Sequence, residues 1–157
     1  MMNEPQSQNI PIEARSPPLQ PRPMRVLLAD DDLDFLGLLA ESLRKDGYLV
    51  LEVSHGTELL RLSTAEELRA NGIDVIISDV LMPGVSGMGM LMQINQMVCP
   101  PPVIMISGCR DDDVRAWADQ LGATAMFDKP FEIDDLRTLL VNLQGVSSGR
   151  GGGHYLT

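Results

Sequence analysis

Cysteine is almost missing from this chain, with Cys99 and Cys109 the only two in 157 residues. Two unpatterned thiols make neither a disulfide framework nor a four-ligand zinc site, and they suit a reducing compartment. Positive charge is scarce too: 12 Lys and Arg stand against 22 Asp and Glu, for a formal net charge of -10. A surface of that sign repels nucleic-acid phosphates and anionic membranes, so direct binding to either is not expected. No stretch reaches the run of about 18 apolar residues that a membrane-spanning helix needs. The opening MMNEPQSQNI has no basic segment leading into an apolar one, so a secretory signal is excluded and a cytoplasmic protein is expected. There is no internal repeat, and neither His55 nor His154 lies on a helical segment of the kind that carries a phosphohistidine.

What is present suffices for one core, since 44% of the residues are apolar. Six of the 11 prolines (Pro5, Pro11, Pro17, Pro18, Pro21, Pro23) crowd into residues 1–23 among Gln, Ser and Asn, which predicts a disordered Pro-rich leader. Residues 145–157, GVSSGRGGGHYLT, read as a flexible Gly-rich tail. Between them, residues 24–144 alternate short β-branched apolar runs with longer segments of helical period, the pattern of βα units around a parallel sheet. Strands are expected at 25–29, 48–53, 73–78, 103–107 and 125–128, buried on both faces. Helices are expected at 33–46, 57–71, 86–98, 112–121 and 133–143. In the first of these, a stripe of Phe35, Leu38, Leu39 and Leu43 is expected to face the sheet, with Gly47 as the cap beyond the end. The Met-rich third helix (Met88, Met90, Met92, Met97) reads as adaptable core.

Doubly wound sheets bind ligands outside the carboxyl ends of their strands. The first strand ends in Asp30-Asp31-Asp32, the third in Asp79, the fourth in Ser107, and the fifth leads to Lys129-Pro130. Any one acid after a strand is most simply a helix cap, as Asp32 is expected to be. Adjacent acids at one end, another acid at a neighbouring end, and a hydroxyl and a lysine from two more do not all fit that role. Clustered carboxylates raise one another's pKa and persist best around a hard cation, Mg2+ being the natural choice and Mn2+ a substitute. A carboxylate beside that charge acts as a nucleophile toward phosphorus, forming an acyl phosphate. Lys129 and Ser107 then supply the charge and the hydroxyl that phosphoryl oxygens need. Pro130 restricts the backbone of Lys129 to extended geometry.

The segments VLLADDD, VIISDVLMPGVSG, VIMISG and FDKPF, in this order and spacing, resemble the receiver domain of bacterial two-component response regulators, of the single-domain, chemotaxis-regulator-like kind. The resemblance covers about residues 24–144. It implies a flavodoxin-like doubly wound (βα)5 fold with a five-stranded parallel sheet in the order 2-1-3-4-5. It also implies that Asp79 is the phosphoacceptor, and that Asp30, Asp31, Asp79 and the backbone carbonyl of Leu81 form the metal site. Lys129 becomes the phosphoryl contact and Ser107 the switch hydroxyl. Met126 stands where many receivers carry an aromatic switch residue, and Phe131 links the site to the output surface. Leu36, one position off the apolar stripe of the first helix, is expected to face water and to serve as a docking residue for the phosphodonor.

The function expected is a phosphoacceptor switch of a phosphorelay, served by a sensor histidine kinase or histidine phosphotransfer protein and acting on a separate downstream target protein. Such a chain catalyses only its own phosphorylation and dephosphorylation. Two alternatives are a receiver-like interaction module that works without phosphorylation and a Mg2+-dependent aspartyl phosphatase, suggested by Asp30-x-Asp32. The first is disfavoured by the presence of all five polar rim residues, the second by the absence of a substrate-capping insertion.

Overall fold

The computed structural model describes residues 22–84 and 86–148; the expected leader, up to residue 21, and the end of the expected tail, 149–157, lie outside the described residues. Five parallel strands, β1 (Arg25–Ala29), β2 (Leu49–Val53), β3 (Val75–Asp79), β4 (Val103–Ser107) and β5 (Ala125–Asp128), form one sheet. Their order is β2-β1-β3-β4-β5, the flavodoxin-like arrangement expected. Among the described residues six helices accompany them: α1 (Leu33–Lys45), α2 (Gly56–Leu62), α3 (Ala65–Ala70), α4 (Gly87–Asn95), α5 (Asp112–Gln120) and α6 (Ile133–Ser148).

The period-two alternation of the strands sorts their side chains onto two cores. Leu27, Ile76, Val103 and Met105 meet the helices α2 to α5 through Leu59, Leu68, Met90, Leu91, Ile94 and Ala118. Val26, Leu28, Val75, Ile77, Ile104 and Ile106 meet α1 and α6 through Leu36, Leu39, Leu43, Leu136 and Leu140. The three central strands are covered on both faces, as their apolar runs predict. β2 is not. As an edge strand it leaves Leu49 and Leu51 exposed, and β5 at the other edge is only half-buried.

Several boundaries differ from expectation for local reasons. The single helix expected at 57–71 is two, because Ser63 turns its hydroxyl back onto the carbonyl of Leu59 and Thr64 caps a new helix by accepting from the Glu67 N–H. α6 continues to Ser148, past the start of the expected tail. Of the four methionines on or near α4, Met88 and Met90 are buried and Met97 packs against the core, but Met92 is exposed.

The largest correction concerns α1. Leu36 is 4% exposed and Leu38 is 69% exposed, the reverse of what was expected. The buried stripe runs Leu36, Leu39, Ala40, Leu43, which is the i, i+3, i+4, i+7 pattern. The docking role given to Leu36 loses its premise, since the side chain lies in the core against the sheet. Leu36→Ala is expected to destabilise the domain by about 2–5 kcal/mol, the usual range for a buried leucine. Leu38→Ala is expected to change stability by less than about 0.5 kcal/mol. Urea unfolding of the two variants checks the assignment, and equal midpoints would reverse it.

Candidate functional site

Parallel strands bring their carboxyl ends to one rim, so residues far apart in sequence converge there. The backbone ladders continue just past the strands: Asp30 N–H donates to the Val53 carbonyl, Val80 N–H to Ile106 and Lys129 N–H to Ser107. This fixes where each rim residue leaves the sheet. Asp30 is 1% and Asp79 7% exposed, whereas Asp31 is exposed. One carboxylate oxygen from each of Asp30, Asp31 and Asp79 lies within 4.8 Å of the others.

Each buried acid is oriented at both oxygens. Asp30 Oδ1 accepts from the Asp32 N–H at 2.9 Å, and Asp79 Oδ1 accepts from the Leu81 N–H at 2.9 Å. Their other oxygens accept from Lys129 Nζ, at 2.7 Å for Asp30 and 3.1 Å for Asp79. The ammonium therefore bridges the two buried acids. Asp32 takes no part in this cluster; it caps α1 by accepting from the Phe35 N–H at 3.1 Å, as expected.

Burial pushes the Asp30 carboxyl above its ordinary range, and the Asp79 charge adds to that, against the opposing hydrogen bonds from Lys129 and the Asp32 N–H. Burial pulls Lys129 the other way, but its hydrogen bonds to Asp30 and Asp79 outweigh it and its pKa is raised. Lys129 thus stays charged, and the cluster carries three carboxylates against one ammonium. An all-oxygen donor set with excess negative charge fits a hard divalent cation, which Asp30, Asp31 and Asp79 could hold.

A raised Asp30 pKa has a measurable consequence, because protons compete with the cation for that carboxylate. Cation affinity is expected to fall as pH drops through the raised pKa, beginning above the ordinary aspartate value of about 3.9. Calorimetric titration of Mg2+ at a series of pH values tests this. An affinity that stays flat down to about pH 5 would show that Asp30 titrates as an ordinary aspartate or stands outside the site.

Ser107 is at the rim, but its hydroxyl is engaged with its own loop. It donates to the Cys109 carbonyl at 2.7 Å and accepts from the Cys109 N–H at 3.1 Å. Met126 is half-buried, and its carbonyl accepts from Arg115, whose guanidinium also pairs with Asp128 at 2.6 Å. Trp117 is exposed on α5. The Lys129-Pro130 bond is cis. Leu81 is exposed beside the cluster.

Two contributors escaped the sequence reading. Gly87, the first residue of α4, sits so close to the sheet that an added Cβ would collide with the Asp79 carbonyl oxygen, with Ser78 Oγ only 3.1 Å away. Its signal was the last glycine of VIISDVLMPGVSG, eight residues after Asp79. Phe35 places its ring under the Lys129 ammonium, 4.3 Å from the centroid. Nothing in the spacing of residues 35 and 129 announces that contact.

The response regulator receiver domain model matches residues 26–141. The chain is 34% identical over 115 residues to the DNA-binding transcriptional regulator NtrC of Escherichia coli, covering 73% of this chain and 24% of that protein. It is 28% identical to sporulation initiation phosphotransferase F of Bacillus subtilis, covering 72% of this chain and 87% of that one. Among solved structures, a response regulator receiver domain protein from Clostridium thermocellum superposes with a TM-score of 0.71 at 33% identity, over 80% of this chain and 97% of that one. The chain thus spans about a quarter of the length of the NtrC relatives it matches.

Proposed function

The chain belongs to the response regulator receiver domain family, a family of signalling switches, and from that premise we propose that Asp79 is its phosphoacceptor. The observation that carries this reading is the bridge from Lys129 Nζ to both Asp30 and Asp79, beside a third carboxylate, at the carboxyl rim of the sheet.

In the transfer, an Asp79 carboxylate oxygen attacks the phosphorus of a phosphohistidine on a sensor histidine kinase or histidine phosphotransfer protein. An O–P bond forms, the N–P bond breaks, and its electron pair returns to the imidazole nitrogen. Asp30, Asp31, Asp79 and the backbone carbonyl of Leu81 would hold Mg2+, or Mn2+ in its place. When bound, that cation supplies positive charge against the phosphoryl oxygens. Lys129, already beside Asp79, supplies a second positive charge to them. Asp79 Oδ1 is kept in place by the Leu81 N–H during the attack.

The added charge and acceptor oxygens draw the Ser107 hydroxyl from the Cys109 carbonyl toward the phosphoryl group. That movement alters the packing of Met126 and Phe131 and with it the surface of α5, β5 and α6, which a separate downstream protein reads. The chain catalyses only its own phosphorylation and dephosphorylation. The near full-length match to a phosphotransferase supports a role in phosphoryl handling. Among the described residues no helix is long and apolar enough to cross a membrane.

Intact-mass measurement after incubation with acetyl phosphate and Mg2+ tests the proposal. A gain of one phosphoryl group that disappears when a chelator replaces Mg2+ is expected. No gain with acetyl phosphate, nor with a panel of phosphorylated histidine kinases, would reject it.

A further inference from the structure

All three phenylalanines of the chain meet beside the rim. Phe131 packs edge-on against Phe35, with centroids 6.1 Å apart and planes at 75°, and Phe127 lies 5.3 Å from Phe131 at 35°. Phe127 and Phe131 flank Lys129 at two residues on either side, while Phe35 comes from α1 and lies nearly a hundred positions earlier. The Lys129 ammonium sits over the Phe35 ring, 4.3 Å from its centroid. Its protons are therefore divided among Asp30, Asp79 and an aromatic face.

A lysine stem is flexible and its ammonium is a strongly hydrated point charge. Two carboxylates alone fix the head on one side and leave the other to water. The negative face of an aromatic ring attracts the ammonium, removes water from that side and narrows its rotamers. The ring itself packs against Phe131, a contact that restrains it.

We propose that Phe35 is a positioning residue for Lys129, its ring face holding the ammonium at the point where it meets the phosphoryl group. This rests on the phosphoacceptor reading above. The ring acts through Lys129. Loss of the ring face is expected to slow phosphorylation at Asp79 about three- to tenfold, the range for a partly desolvated cation–π contact, with Mg2+ affinity unchanged.

The experiment compares the full chain with Phe35→Leu and Phe35→Tyr. Phosphorylation rates are measured by intact mass at saturating Mg2+ and acetyl phosphate, together with the proton shifts of the Lys129 ε-methylene by NMR. The wild-type ε-protons are expected upfield of a free lysine through the ring current. Phe35→Leu should lose that shift and the rate, whereas Phe35→Tyr, which keeps the ring, should retain both. If Phe35→Leu reacts at the wild-type rate, or Phe35→Tyr is as slow as Phe35→Leu, the positioning role is overturned. It is also overturned if the wild-type ε-protons resonate at the free-lysine position. A wild-type chain that is never phosphorylated would reject the phosphoacceptor reading instead, and the NMR shifts still judge the contact.

Discussion

Asp79→Asn is expected to abolish phosphorylation altogether, with no mass gained under conditions that load the native chain. The amide nitrogen and oxygen of asparagine are not nucleophiles toward phosphorus at neutral pH, so no residual route through this side chain remains. The fold should tolerate the change. The substituted amide keeps an oxygen to accept from the Leu81 N–H, and Asp30 keeps its own bond from Lys129 at 2.7 Å. Removing one of two neighbouring buried carboxylates also relieves a repulsion, so without Mg2+ the variant should match the native stability or exceed it by about 1 kcal/mol. With Mg2+ the native chain should gain more, since it offers three carboxylates and the variant two. Thermal unfolding with and without Mg2+ separates these terms. A metal-free loss greater than about 2 kcal/mol would mark Asp79 as a structural ion-pair partner, because breaking such a pair is strongly destabilising.

Gly87→Ala is expected to cost the domain about 3 kcal/mol of stability or more without touching any charged group. The added methyl would overlap the Asp79 carbonyl oxygen and press on Met105 Cε at 3.0 Å and Ser78 Oγ at 3.1 Å. A methionine terminus yields; a backbone carbonyl at the end of a buried central strand does not. The Gly87 N–H also donates to the Val80 carbonyl at 2.9 Å, so α4 cannot slide outward without giving up that bond. Overpacking of this kind costs about 1–3 kcal/mol, and more where backbone must move. The same displacement shifts Asp79, so phosphorylation should slow in parallel with the loss of stability. Urea unfolding and the acetyl phosphate assay on one preparation test both. A stable Gly87→Ala chain with normal reactivity would show that the helix start accommodates a side chain after all.

Much of the architecture was legible in the sequence. β1 and β4 fall where their apolar runs are, because a central strand of a covered parallel sheet has few polar positions to blur its ends, and β5 keeps its expected bounds although it lies half-buried at the sheet's edge. The rim was legible for a related reason. Parallel strands project their carboxyl ends to one side, so polar residues that end such runs, Asp30, Asp79, Ser107 and Lys129, are brought together by topology whatever the loops do.

Other features depend on distances that only the folded chain sets. α1 carries apolar residues at 33, 35, 36, 38, 39, 40 and 43, enough for two overlapping stripes. Which stripe is buried depends on the roll of the helix about its axis, fixed by packing against the sheet and α6, and that choice buried Leu36 and exposed Leu38. Phe35 and Lys129, and Gly87 and the Asp79 carbonyl, meet in ways that no local period encodes. The sequence by itself determined which strands form, how strands and helical segments alternate and which polar residues reach the rim, since these follow from local propensity, hydrophobic period and parallel topology. Helix roll, the aromatic wall behind the lysine and the close approach at Gly87 were decided by tertiary structure alone, because each is a contact between elements whose relative placement is settled only when both cores close.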